Sequence, residues 1–217
     1  MIAGERTTAY INSLDMGNTE LLNQIEKEAL ETYVPIIRRE TQSFLKTLLA
    51  AAKPKSILEV GTAIGFSALL IAEYSPADTQ ITTIEKYEKR IPIAKENFRR
   101  AGRQAQITLL EGDAADILKG LTGTYDFIFM DAAKGQYIHF LPEVFRLLAP
   151  GGILLSDNVL QDGDIIESRF AVERRDRTIH SRMREYLYTL THHPDLTTSV
   201  LPLGDGVTLS VKKEQQL

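Results

Sequence analysis

The sequence predicts an α/β fold in which helices cover both faces of a mostly parallel sheet. Short apolar runs alternate with helical segments from residue 56 to residue 156. These runs are continuously apolar, which is typical of strands that are buried on both faces. Two more β-rich runs near the C-terminus flank a glycine turn, which indicates an antiparallel hairpin. We therefore expect a seven-stranded sheet that ends in an antiparallel pair.

Two helices are expected before the sheet. Apolar residues recur at helical spacing from Thr19 to Tyr33, and Pro35 interrupts this pattern before a second helical segment that runs to about Ala52. The parallel strands are then expected at residues 56–60, 80–85, 106–111, 125–130 and 151–156.

The C-terminal third contains a helical stretch and then the hairpin. A long helix is expected over residues 165–191, and the hairpin is expected over residues 197–211 around Gly204-Asp-Gly206. The tail from Lys212 is expected to fray. No linker or internal repeat divides the chain, so residues 1–217 are interpreted as one domain.

Composition narrows the class of protein. The chain has 217 residues, a net charge of −4 and no cysteine, so disulfides, thiolate metal sites and cysteine nucleophiles are excluded. The net charge argues against coating nucleic acid through bulk charge, although a local basic face is compatible with it. The N-terminus lacks a basic-then-apolar signal pattern, and no apolar run reaches the length that spans a bilayer. We expect a cytoplasmic protein that does not insert into membranes.

Acidic side chains follow the predicted strands one after another. Ligands in this architecture bind at the carboxyl ends of the strands. A single acid there usually caps a helix or forms a turn, but a series of five indicates a site. The residues at these ends are Glu59 with Gly61, Glu85, Asp113, Asp131, and Asp157 with Asn158.

The stretch from Ile57 to Ser67 predicts a strand, a glycine turn and a helix N-terminus, which leaves backbone N–H groups available to a polar ligand. Glu85 lies roughly 20 residues beyond the turn, where an acid can accept hydrogen bonds from ribose hydroxyls. Ala63 occupies the second glycine position of a dinucleotide fingerprint, so a pyrophosphate is poorly accommodated. The pattern favours an adenosine ligand over the dinucleotide of a dehydrogenase.

Asp131, Asp157 and Asn158 supply three hard oxygen ligands from neighbouring strand ends. Such a set suits Mg²⁺ or Ca²⁺ and leaves octahedral positions open for water or substrate. The alternative is that Asp157 and Asn158 only form a turn.

Several motifs together resemble one enzyme family. The run from Glu59 to Ser67 resembles motif I of class I S-adenosylmethionine-dependent methyltransferases, and Gly112-Asp113-Ala114 resembles their adenine-side motif. The runs Met130-Asp-Ala-Ala-Lys-Gly-Gln-Tyr137 and Ser156-Asp-Asn158 resemble the cation-dependent O-methyltransferases, which include catechol and caffeoyl-coenzyme A methyltransferases. The closing run from Leu201 to Thr208 is similar to their last hairpin. The resemblance implies a Rossmann-like class I methyltransferase fold.

The resemblance also implies roles for individual residues. Mg²⁺, with Mn²⁺ or Ca²⁺ as alternatives, would bind Asp131, Asp157 and Asn158, and Lys134 would act as the general base beside Asp131. It further implies a homodimer that uses the N-terminal helices within residues 1–52. The implied S-adenosylmethionine contacts are Ile37, Gly61, Ser67, Glu85, Asp113 and Asp131.

The substrate should carry two neighbouring oxygens, because chelation orients and acidifies the attacking hydroxyl. Catechols and 5-hydroxyuridine both satisfy this condition, and the segment from Val159 to Tyr186 should decide between them. Its arginines could bind a polyanion or could form a solvated helix face. The arginines of this segment are Arg169, Arg174, Arg175, Arg177, Arg182 and Arg184, and further candidates are Arg38, Arg39, Arg99, Arg100 and Arg103.

The run from Arg174 to Ile179 and the short chain resemble bacterial tRNA 5-hydroxyuridine methyltransferases within this family. The favoured substrate is therefore 5-hydroxyuridine in a tRNA anticodon loop. A small catechol-like compound is the first alternative, although this segment offers it chiefly Phe170 and Tyr186 as aromatic walls. A non-catalytic RNA-binding protein with the same fold is the second alternative.

Overall fold

The N-terminal part of the chain forms three helices that precede the sheet. The computed structural model describes residues 4–214. The helices are α1 (Glu5–Ser13), α2 (Glu20–Glu31) and α3 (Arg39–Ala52). The two predicted helices are confirmed as α2 and α3, whereas α1 was not predicted because it has no apolar stripe and buries none of its side chains. The dimer that the resemblance implies for these helices stays a prediction.

The remaining chain alternates strands and helices as predicted, and the described residues form one seven-stranded sheet. The sheet order is β3-β2-β1-β4-β5-β7-β6, and β7 runs antiparallel to the other six strands. The strands are β1 (Ser56–Val60), β2 (Gln80–Glu85), β3 (Ile107–Glu111), β4 (Tyr125–Met130), β5 (Leu148–Ser156), β6 (Leu196–Leu201) and β7 (Val207–Lys212). The helices are α4 (Phe66–Tyr74), α5 (Ile91–Arg100), α6 (Ala114–Gly120), α7 (Tyr137–Leu147) and α8 (Arg177–His192).

Side chains that alternate along the central strands build a core on each face of the sheet. In β1, Ile57 packs with α2 to α5 on one face, and Leu58 packs with α6 to α8 on the other. Both residues are fully buried. The continuously apolar strands therefore predicted the layered architecture correctly. No helix among residues 4–214 is long and apolar enough to cross a membrane.

The predicted helix over residues 165–191 is wrong in its first part, because α8 begins only at Arg177. Asp162 and Gly163 have left-handed backbone angles inside a short 3₁₀ segment at Gln161–Ile166, and turns follow as far as Asp176. The buried side chains of α8 begin at His180, and within residues 167–176 only Val172 is buried, so this stretch lacks the repeated apolar contacts that would hold it in a helix. Several of the predicted substrate arginines therefore lie on an irregular loop, residues 161–176, which we call the mouth loop.

The hairpin is confirmed as β6 and β7, but the tail does not fray where it was predicted to. The Lys212 Nζ atom donates to the carbonyl oxygens of Phe145 and Leu148, both at 2.8 Å. The Lys213 N–H donates to the Asp195 carbonyl at 2.9 Å. Residues 215–217 lie outside the described part.

Candidate active site

The segments that follow β1, β2, β3, β4 and β5 surround one cavity of about 940 Å³ at the carboxyl edge of the sheet. The short segment from Pro35 to Arg38, which includes the buried Ile37, closes another side. Most of the residues that were predicted from the sequence to form the site line this cavity, and Asp157 lies buried beside it. The lining includes Ile37, Gly61, Ser67, Glu85, Asp113, Asp131, Lys134 and Asn158.

The glycine turn passes very close to the strand beside it. A Cβ atom on Gly61 would lie 2.2 Å from the carbonyl oxygen of Asp131, and the φ of Gly61 is 110°. Ala63 at the next bend has a φ of 47°, in the left-handed region. The backbone of the turn therefore lies directly beside Asp131, and only glycine fits at position 61.

Glu85 stabilises this turn and the loop after β2 through its carboxylate. One oxygen accepts from the Ala63 N–H at 2.8 Å, and the other accepts from Lys86 N at 2.9 Å and Tyr87 N at 2.8 Å. A carboxylate has about four lone-pair positions. After these three bonds it still has acceptor capacity, which suits the predicted contact to a ribose hydroxyl.

Ser67 is bonded to a buried acid below the turn. Its Oγ donates to Glu59 Oε1 at 2.5 Å, and the Thr83 hydroxyl donates to the other oxygen of Glu59. Burial raises the pKa of Glu59 to about 7, although these two hydrogen bonds oppose the shift. The Ser67 oxygen can still accept a hydrogen bond from a ligand, so its cofactor role stays a prediction.

Asp113 lies at the far end of the cavity, where it caps α6. Its Oδ1 accepts from the Ala115 N–H at 2.9 Å, and its Oδ2 pairs with Lys86 Nζ at 3.2 Å. The bond from the Ala115 N–H is the largest cause that lowers the pKa of Asp113. The carboxylate is therefore ionised at neutral pH and can accept a hydrogen bond from an adenine amino group.

Asp131 and Asp157 form the electrostatic centre of the site. Asp157 is fully buried, its Oδ1 accepts from the Asn158 N–H at 2.7 Å, and its Oδ2 has no hydrogen-bond partner within residues 4–214. Burial is the main cause that raises the pKa of both carboxyl groups, and the negative charge of Asp131 raises the pKa of Asp157 further. Two crowded carboxylates, one with an unpartnered oxygen, fit a divalent cation.

Asn158 completes the candidate metal set. Its φ of 58° lies in the left-handed region, which asparagine tolerates better than most residues, and it lines the cavity. In the described part of the chain, no group of three or more His, Cys, Asp or Glu side chains is arranged to hold a metal. The candidate site therefore depends on the Asn158 amide oxygen as its third protein ligand.

Lys134 begins a short 3₁₀ turn after β4, and its side chain is about one-third exposed. Its Nζ lies 3.0 Å from Asp205 Oδ2. The sequence had assigned Asp205 only to a turn. The position of Asp205 near the site could have been inferred from the predicted hairpin. Because β7 runs antiparallel to β5, the turn before β7 lies beside the residues that follow β5.

Most of the candidate substrate arginines form hydrogen bonds or ion pairs with other residues of the protein. Arg182 donates to the Gly135 carbonyl at 3.2 Å, and Arg99 pairs with Glu96 at 2.6 Å. Within residues 4–214, Arg169 and Arg174 form no hydrogen bond or ion pair. The arginines that have partners are Arg38, Arg39, Arg99, Arg100, Arg103, Arg175, Arg177, Arg182 and Arg184.

Comparison with known proteins connects this site to an enzyme family. A family model described as O-methyltransferase matches residues 12–213. Caffeoyl-CoA O-methyltransferase 2 from Populus trichocarpa is 32% identical over 177 residues, which cover 76% of this chain and 70% of that protein. A catechol O-methyltransferase from Niastella koreensis is 35% identical over 128 residues, which cover 57% of this chain and 58% of that protein.

The fold supports the same relationship. The solved structure of the SAH-bound methyltransferase PaMTH1 from Podospora anserina superposes with a TM-score of 0.86. It is 29% identical, and the match covers 97% of this chain and 95% of that one. The chain belongs to the O-methyltransferase family of class I and is an S-adenosylmethionine-dependent O-methyltransferase.

Proposed function

We propose that this O-methyltransferase uses a divalent cation, Mg²⁺ in the first instance, to methylate the 5-hydroxyl of 5-hydroxyuridine in a tRNA anticodon loop, which gives 5-methoxyuridine. The observation that carries the tRNA assignment is the chemistry of the mouth loop. Phe170 is 82% exposed, and the two unpaired arginines Arg169 and Arg174 lie near it in the sequence. Exposed aromatic rings stack on unpaired bases, and arginines bind phosphates, so this combination suits single-stranded RNA.

The mouth loop lies next to the candidate catalytic residues. A side cavity of about 300 Å³ is lined by Lys134 and by Gln161, Asp162 and Asp164 from this loop. The Asp162 N–H also donates to Asp205, the partner of Lys134. A nucleotide held by the mouth loop could therefore extend its base toward Asp131 and Lys134.

The proposed chemistry assigns one task to each group. Asp131, Asp157 and Asn158 would hold the cation, which when bound lowers the pKa of a coordinated hydroxyl. Lys134 would accept the hydroxyl proton at its Nζ atom. The residues around Gly61 and Glu85 would hold the methyl donor beside Asp131, so that the acceptor oxygen is positioned for direct transfer.

The second candidate substrate is a small vicinal-dihydroxy compound, and the catechol and caffeoyl-CoA relatives favour it. The structure offers such a ring little support from the segment that follows the metal pair. Tyr186, which was expected as one aromatic wall, is fully buried and its hydroxyl lies 2.6 Å from that of Ser156. The other expected wall, Phe170, is open to solvent.

Incubation with labelled S-adenosylmethionine separates these candidates. The protein is supplied with Mg²⁺ and with either undermodified tRNA or a simple catechol, and label transfer is measured. We expect transfer to tRNA. Transfer only to the catechol would contradict the tRNA proposal, and transfer to neither acceptor would contradict both candidate substrates.

The arginine assignment can be tested with a double variant. We expect Arg169→Ala with Arg174→Ala to lower kcat/KM for tRNA about tenfold or more and to flatten its dependence on salt by about one unit of log–log slope per lost phosphate contact. Activity on a catechol should not change. Arg99→Ala is the matched control, because Arg99 is paired with Glu96 on α5. Equal losses in both variants would contradict a role for the mouth loop.

Glu85→Ala is expected to weaken S-adenosylmethionine binding. The variant loses the predicted ribose acceptor and also the carboxylate that fixes Ala63 and Tyr87. Loss of hydrogen bonds to a charged acceptor costs about 1.5 to 3 kcal/mol, which corresponds to about 10-fold to 100-fold in the dissociation constant. Isothermal titration measures this constant, and an unchanged value would refute the ribose assignment.

A further inference from the structure

A buried carboxylate from the last hairpin holds the proposed base. Asp205 is only 4% exposed, and its Oδ2 lies 3.0 Å from Lys134 Nζ. Its other oxygen accepts from the Asp162 N–H. Both oxygens therefore pair with residues that line the side cavity, which we call the substrate end of the cavity, although Asp205 lies 71 residues from Lys134 in the sequence.

The backbone of the turn is fixed on both sides of Asp205. A Cβ atom on Gly204 would lie 2.8 Å from the Thr41 hydroxyl of α3, and one on Gly206 would lie 2.3 Å from Leu160 Cγ. The Leu160 N–H donates to the Asp205 carbonyl at 3.0 Å. The turn is thus packed between α3 and the segment that follows Asn158, and Asp205 can move little.

Lys134 by itself would be a poorly positioned base. Its amino group lies at the end of a flexible four-carbon chain that is about one-third exposed. A displacement of about 1 Å in a reacting group can cost about 100-fold in rate. A fixed, buried carboxylate that accepts a hydrogen bond from Nζ removes this freedom, and the nitrogen lone pair stays available to the substrate proton.

We propose that Asp205 is a positioning residue that holds Lys134 Nζ at the substrate end of the cavity and stabilises the positive charge that Lys134 gains during transfer. The inference rests on the proposed role of Lys134 as the base. The substrate O–H bond breaks and its proton forms an N–H bond at Nζ. The oxygen electron pair forms the new O–C bond, and the methyl–sulfur bond breaks with its electron pair passing to sulfur.

A purely structural role for Asp205 makes a different prediction. If Asp205 only anchored the mouth loop through Asp162, its loss would affect substrate binding and stability whether or not Lys134 were present. If Asp205 acts through Lys134, its loss should matter only while Lys134 is there. A double-mutant cycle distinguishes these possibilities.

The cycle uses Asp205→Asn, Lys134→Ala and the double variant, and steady-state rates are measured with the acceptor that the wild type methylates. Asparagine keeps an oxygen for the Asp162 N–H while it removes the charge. We expect Asp205→Asn to lower kcat about 10-fold to 100-fold with KM for the acceptor within about twofold. In the Lys134→Ala background, Asp205→Asn should cause no further loss of kcat. The control is Asp78→Asn, which removes an exposed acid before β2 that lines neither of these two cavities, and it should keep full activity.

Affinity for S-adenosylmethionine and the midpoint of thermal unfolding are measured for each variant, and Asp205→Ser replaces Asp205→Asn if the latter does not fold. Equal losses from Asp205→Asn with and without Lys134, or an unchanged kcat, would overturn the positioning role. Transfer to a catechol instead of tRNA would overturn the proposed substrate alone, because the cycle can be measured with either acceptor.

Discussion

Asp157→Ala is expected to abolish cation-stimulated methyl transfer while S-adenosylmethionine affinity stays within about twofold of the wild type. Loss even of a group that only supports a metal ligand commonly costs 10-fold to 100-fold, so loss of a ligand should cost at least about 100-fold. Asp157 is not among the residues that line the main cavity, where the predicted S-adenosylmethionine contacts lie, and its Oδ1 accepts from the Asn158 N–H. Initial rates with and without Mg²⁺, together with cofactor titration, measure both effects.

A binding measurement tests the same metal assignment without turnover. Mg²⁺ or Mn²⁺ at 100 times its dissociation constant should stabilise the wild type by about 2.7 kcal/mol, which raises the unfolding midpoint by about 5 to 10 °C. Asp157→Asn, which keeps the shape and an acceptor for the Asn158 N–H, should lose this shift. An equal shift in both proteins, or normal activity in Asp157→Ala, would show that the cation binds elsewhere.

Lys134→Ala and Lys134→Arg are both expected to lower kcat, by about 10² to 10⁴, because general-base catalysis contributes about that factor. Arginine can still pair with Asp205 but remains protonated and cannot accept a proton. The two variants therefore distinguish a role of Lys134 in accepting the proton from a role of its positive charge alone. Steady-state transfer measures kcat, single turnovers isolate the chemical step, and cofactor affinity should be unchanged in both variants. Activity near the wild-type level in Lys134→Arg would mean that Lys134 contributes only its positive charge.

The strand positions and the edge of the sheet that holds the site were predictable from sequence. The central strands β1 and β4 are buried along most of their length, so their apolar runs are nearly continuous. All five parallel strands lie within a few residues of their predicted limits. Parallel strands carry their carboxyl ends to one edge, which is why acids from Glu85 to Asn158 meet around one cavity. The parallel topology therefore places acidic residues that are far apart in the sequence around the same cavity.

The features that the sequence did not predict depend on tertiary contacts. Asp205 looked like a turn residue because nothing local shows that its carboxylate points at Lys134. The mouth loop looked helical because its residues have ordinary helix propensity, but Asp162 and Gly163 adopt left-handed angles and no apolar stripe forms before His180. Tyr186 looked available to a substrate, whereas its hydroxyl bonds to Ser156 inside the core.

Mass spectrometry of tRNA nucleosides from cells that lack this protein tests the central claim most directly. The account predicts that 5-methoxyuridine disappears, that 5-hydroxyuridine accumulates in its place, and that the wild-type gene restores the methylated nucleoside while the Asp157→Ala gene does not. Normal 5-methoxyuridine in the deletion cells would contradict the proposal that tRNA is the substrate.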